Sequence, residues 1–214
     1  MNMIEPCCAE RQVCRLLREN KEHAAVFQTN GDMTLAKWMQ AVMLLSGDRP
    51  RTLTLAVPIF TEKMMATVGK YMQLEWIARL RLMTTDTMPI ETLQRFAAKT
   101  GCELDALLQR TELAADAAVP DGLMMFAGTD GTVILQGAMF DTITPRLCLY
   151  AGIFGRTQAV REVADVWNAR FKARRYEAAA TIGKTADSKP AVAKKKTRTR
   201  KIKKANDEPT EKMA

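Results

Sequence analysis

An α/β fold is predicted for this 214-residue chain by three features of its sequence. Short β-branched apolar runs alternate with stretches of helical periodicity through the first hundred residues. The run Thr52-Leu53-Thr54-Leu55-Ala56-Val57-Pro58 is continuous enough for a strand buried on both faces, as parallel strands are. Lys, Thr, Ala and Pro then take over abruptly after Ala180, where apolar periodicity stops. The expectation is a single three-layer domain over 1–180, with a mixed, mostly parallel sheet and helices on both faces. A disordered basic tail follows over 181–214.

Glu10 to Asn20 carries Val13, Leu16 and Leu17 at i, i+3, i+4, the spacing of an opening helix. Ala24 to Phe27 is a short strand stopped by Asn30-Gly31. Leu35, Trp38, Met39, Val42 and Leu45 form a second helical stripe, closed by Ser46-Gly47-Asp48. After the Thr52–Pro58 strand, Thr61 caps a helix to about Gln73, and Trp76 to Met83 reads as the next strand. Pro89 suits the first turn of another helix, which Gly101 ends. Ala106 to Leu113 reads as a strand. Leu123–Ala127 and Val133–Leu135, joined by Thr129-Asp130-Gly131, read as a hairpin. Leu147–Tyr150 is a last strand, and Arg156 to about Glu177 a closing helix with Val160, Val163, Ala164, Trp167 and Phe171 inward.

Composition narrows the function. At 47% hydrophobic residues the chain can bury enough apolar surface to offset its ordering entropy. No run of the length a membrane helix needs is present, and Glu5 and Cys7-Cys8 stand where a signal peptide would carry a basic flank and an apolar core, so a soluble, cytoplasmic protein is expected. The odd set Cys7, Cys8, Cys14, Cys102 and Cys148 matches no zinc or disulfide framework. The one histidine, His23, has no partner at ligand spacing, so neither a metal nor a cofactor is expected. Phosphate-loop, dinucleotide and zinc-protease motifs are absent, and serine occurs only at Ser46 and Ser188, which excludes a serine hydrolase.

Leu123 to Asp141 reads LMMFAGTDGTVILQGAMFD. Its spacing resembles the signature of the phospholipase D-like superfamily: His, one residue, Lys, four residues, Asp, six residues, Gly-Ser, two residues, Asn. On this chain the histidine position is Leu123, the lysine Met125 and the aspartate Asp130; Gly-Ser falls on Gly137-Ala138 and Asn on Asp141. The resemblance runs over roughly residues 10 to 177 and includes Pro58-Ile59-Phe60-Thr61 and the closing helix with Trp167 and Phe171. It implies a degenerate member. The family's nucleophilic histidine and phosphate-neutralising lysine are replaced by apolar residues, so its mechanism cannot run and no catalytic residue is assigned. It also implies self-association, as a homodimer. Read for themselves, Asp130 before Gly131 is a turn residue, Asp141 a cap, and Met124, Met125 and Met139 core filler.

The charge carries the remaining signal. The chain has 32 Lys+Arg and 24 Asp+Glu, a net +8, but eleven of the cations and four of the acids lie after Ala180, so the tail nets +7 and the body +1. Lys194, Lys195, Lys196, Arg198, Arg200, Lys201, Lys203 and Lys204 place eight cations in eleven residues. Such a run neutralises phosphates and releases counterions without reading bases, so DNA or RNA is the expected partner. Arg170, Lys172, Arg174 and Arg175 either extend that surface or serve the helix dipole. Other readings of the same features are a phosphodiesterase or nuclease subunit completed by a partner, an interaction module with a solubilising tail, and a tail that meets an acidic protein or membrane.

Overall fold

The computed structural model describes residues 2–3, 9–19, 24–29, 34–47, 51–119, 122–137 and 148–176. All of them belong to one compact unit, Met1–Ala178. The expected tail over 181–214 lies outside the described residues, as do Cys7, Cys8, His23, Asn30-Gly31 and Asp48.

The chain runs β1 (Asn2–Met3), α1 (Ala9–Glu19), β2 (Ala25–Thr29), α2 (Leu35–Ser46), β3 (Thr52–Ala56), α3 (Glu62–Gln73) and β4 (Arg79–Thr84). It continues with α4 (Pro89–Thr100), α5 (Leu104–Arg110), β5 (Thr111–Ala115), β6 (Leu123–Ala127), β7 (Thr132–Gly137), β8 (Cys148–Gly155) and α6 (Gln158–Ala173). The eight strands form one sheet in the order β1-β2-β8-β7-β6-β3-β4-β5. β3, β4 and β5 pair parallel, as do β1 and β2, and the pairs between β2 and β3 across β8, β7 and β6 are antiparallel. Six strands therefore point one way and only β6 and β8 oppose them. The sheet is mixed and mostly parallel in direction, with the β6–β7 hairpin at its centre.

Alternation along the strands divides the interior into two cores. Leu53 and Leu55 of β3, Met124 and Phe126 of β6, and Leu135 of β7 meet the helices α1 to α5. Ala56, Leu123, Met125 and Ile134, pointing the other way, meet α6 through Val160 and Phe171. Among the described residues, helices thus cover both faces, five on one and one on the other. This explains why β3 reads as a continuous apolar run: both of its faces are dry.

Local chemistry sets the helix ends. The hydroxyls of Thr34, Thr61 and Thr157 accept from the backbone N–H groups of Lys37, Met64 and Val160, each an N-cap. Gly101 ends α4 at φ 69°, a left-handed conformation that glycine adopts without a Cβ penalty.

Four element readings are corrected. Ala106 to Leu113 is not a strand: α5 passes directly into β5 at Thr111. Leu104, Leu107 and Leu108 have helical spacing, and Arg110 halts the helix by donating to the carbonyls of Met72, Ile77 and Ala78. Trp76 is not in β4, because the N–H groups of Trp76 and Ile77 turn back to the Tyr71 carbonyl and the strand starts at Arg79. The last strand continues through two glycines to Gly155. Val163 does not point inward in α6; it is 38% exposed, whereas Val160 and Phe171 are buried.

Candidate nucleic-acid interface

The eight cations from Lys194 to Lys204 lie outside the described residues, so the candidate surface is built from the body and from the positions that the family resemblance singles out. Leu123 opens β6 between Ala56 of β3 and Gln136 of β7, and Met125 lies between Thr54 and Ile134. Both side chains face α6, with residual exposures of 0% and 5%. A nucleophile and a phosphate ligand at these positions would sit in a closed apolar layer.

Asp130 is at the other end of the hairpin, in the turn beyond β6, whose length from Leu123 is about 13 Å. It is exposed, its N–H donates to the Ser46 carbonyl at 2.9 Å, and the Thr129 hydroxyl lies 3.4 Å from Oδ1. Arg156 donates to the Thr129 carbonyl and Arg51 to that of Gly47, so two guanidinium groups hold the hairpin tip and the end of α2. The motif positions Leu123, Met125 and Asp130 therefore do not converge. Ala138, Met139 and Asp141 lie outside the described residues.

Beside Met125 the sheet carries a polar group. Arg81 of β4 lies opposite Thr54, donates to Asn168 Oδ1 of α6 at 3.0 Å, pairs with Glu112 at 3.4 Å and stands over the Phe171 ring. Loops and helix termini carry further ion pairs, Arg95 with Asp86, Lys99 with Glu62 and Arg170 with Asp116. Asp86 accepts from the Thr92 hydroxyl at 2.6 Å and from the Met88 N–H at 2.9 Å, and these bonds hold its carboxyl below the ordinary aspartate value. Glu62 is lowered by its bond to Lys99, and Asp116 by its bond to Arg170. These shifts belong to structural pairs: a general acid working near neutrality needs the opposite displacement.

Among the described residues, no three His, Cys, Asp or Glu side chains lie together as metal ligands, and no helix is long and apolar enough to cross a membrane. The thiol of Cys14 is buried and donates to the Ala41 carbonyl.

Cations at the end of α6 divide into two kinds. Arg170 is bound into the fold, with Nε 2.8 Å from Asp116 Oδ2 and a second nitrogen 2.5 Å from the Ala118 carbonyl. Lys172, Arg174 and Arg175 are exposed, and Arg174 approaches Asp116 only to 4.0 Å. A second cationic surface lies on α1. Arg11, Arg15 and Arg18 line an open groove of about 440 Å³ together with Cys14, Glu19 and the exposed Leu44 of α2. Its arginines recur at i, i+4 and i+7, a pattern visible in the sequence beside the apolar stripe of that helix.

No family model matches the chain, and no curated protein matches it. Among solved structures the chain is similar to that of TrmBL2, described as an archaeal chromatin protein that shows a novel mode of DNA binding, at 11% identity and a TM-score of 0.42. The match covers 78% of this chain, which spans 60% of the length of that one. A likeness of this size carries no argument about what the present chain does.

Proposed function

We propose that this chain is a non-catalytic nucleic-acid-associated protein that binds DNA or RNA without sequence preference through Lys194 to Lys204, and that its body is a degenerate, self-associating phospholipase D-like unit. The observation that carries the reading is the density of charge: eight cations in eleven residues. With no aromatic residue anywhere after Ala180, the segment lacks a platform for stacking bases, so its contacts are to phosphates and read no sequence.

The body supports the non-catalytic half of the proposal. A phosphoryl-transfer site of the family's kind needs a histidine and a lysine in contact with the substrate, and Leu123 and Met125 are buried against α6. Two copies of this unit would both lack the histidine and the lysine, so dimerisation in this reading serves avidity for a long polyanion rather than assembly of a shared active site.

The test is a comparison of fluorescence anisotropy with two duplexes of unrelated sequence and with a single strand of the same length. Affinities within a few-fold of one another are expected. A strong preference for one duplex, or hydrolysis of any of the probes, would overturn the reading.

A further inference from the structure

We infer that the outer face of α1 is a second phosphate-backbone contact, in which Arg11, Arg15 and Arg18 bind one strand of a nucleic acid along the α1–α2 groove. The inference rests on the nucleic-acid reading above but assigns part of the contact to the folded body. α1 buries Val13, Cys14 and Leu17 and turns its three arginines to solvent; they line a groove of about 440 Å³ whose other wall includes Leu44 of α2, 62% exposed.

Local stability does not account for this arrangement. Arg11 lies in the first turn of the helix, where the macrodipole disfavours a cation. The pairing of Arg15 with Glu19 is long, 3.9 Å, and both side chains are more than 60% exposed, so the pair contributes little. Among the described residues, only Arg18 has a hydrogen bond into the fold, to the Leu44 carbonyl at 3.2 Å.

Geometry favours a nucleic acid over an acidic protein. At i, i+4 and i+7 the three guanidinium groups are spaced by about 6 and 4.5 Å along the helix axis and together span about 10 Å. A strand of duplex DNA presents a phosphate about every 3.4 Å of its axis, so the stripe spans about three phosphate intervals and its three cations fall within the reach of about four successive phosphates. All three cations of α1 are arginine, whose planar fork binds phosphate oxygens in pairs, while six of the eight cations in the tail run are lysine.

The experiment uses the full chain in two backgrounds, the native tail and a tail whose eight cations between 194 and 204 are replaced by Gln. Each is combined with Arg11→Gln/Arg15→Gln, which preserves the bond of Arg18, and with the triple variant that adds Arg18→Gln. Binding to a short DNA duplex is measured against salt, and circular dichroism checks the fold. In both backgrounds the slope of log Kobs against log salt should become shallower by about 2 in the double variant and about 3 in the triple. Unchanged slopes overturn the inference. Loss of all binding on neutralising the tail overturns it while leaving the tail reading intact; no binding by the native chain overturns both. Equal competition by polyglutamate at matched charge would show that the surface takes an acidic protein instead.

Discussion

The carboxylate of Asp116, one residue beyond β5, accepts a hydrogen bond from Nε of Arg170 in α6 at 2.8 Å, across 54 residues of chain. Its other oxygen accepts from the Ala118 N–H at 3.0 Å, and Arg170 also donates to the Ala118 carbonyl. Just beyond, the N–H of Ala115 donates to the Arg174 carbonyl and that of Tyr176 to the Leu113 carbonyl, so the segment after α6 closes the free edge of β5. The clasp fixes α6, which alone among the described helices covers this face of the sheet and buries Leu123 and Met125 beneath it.

Asp116 is 7% exposed and Arg170 33%, so removing one partner leaves a sheltered charge uncompensated. Asp116→Asn and Arg170→Gln should each cost about 2 kcal/mol in urea denaturation, and the double variant should cost clearly less than their sum.

The same pair gives a pH dependence. Hydrogen bonding to Arg170, foremost, holds the Asp116 carboxyl below its unfolded value, so its contribution is complete above about pH 4 and fades as pH falls through the lower folded value. The fall in native stability between about pH 5 and pH 2 should therefore be less steep in Asp116→Asn than in the native chain.

Gly128, which precedes the hairpin tip, has no room for a side chain. A Cβ there would lie 2.1 Å from the Ser46 carbonyl oxygen, the atom that accepts from the Asp130 N–H. Gly128→Ala should destabilise by about 2–3 kcal/mol through forced separation of the tip from the end of α2, read as a lowered urea midpoint at an unchanged slope.

Thr54 offers a substitution of the opposite sign. Its hydroxyl is buried on β3 beside Met125 and has no hydrogen-bond partner among the described residues. Thr54→Val keeps the β-branched shape and removes the unsatisfied group, so stability should be unchanged or rise by up to about 1 kcal/mol.

Histidine and lysine can be placed at the two positions where the resemblance would have them. Leu123→His with Met125→Lys should not produce phosphodiester hydrolysis; burial of an ammonium group beneath α6 should instead cost several kcal/mol, seen as loss of the cooperative unfolding transition.

Where local chemistry and long-range packing agreed, the fold was legible. Thr61, Gly101 and the Asp-Gly turn announced helix ends and a hairpin, and each is found there. The errors came where distant contacts decide. α5 stops at Arg110 because its guanidinium finds three carbonyls around the α3–β4 turn, more than thirty residues earlier in the chain. Val163 has the spacing of the apolar stripe of α6, but the helix is held at its far end by Asp116 and Arg81, and that residue is left at the helix flank. The α1 groove could not be read from α1 alone, because Leu44 is supplied by α2.

Phosphate binding by the segment 194–204 is the proposal on which the function rests. The most direct measurement compares the salt dependence of duplex binding for the full chain and for a chain ending at residue 180. The full chain should give a slope of log Kobs against log salt of at least about −7, with a much shallower slope after truncation. Equal affinity and equal slope for the two chains would contradict it.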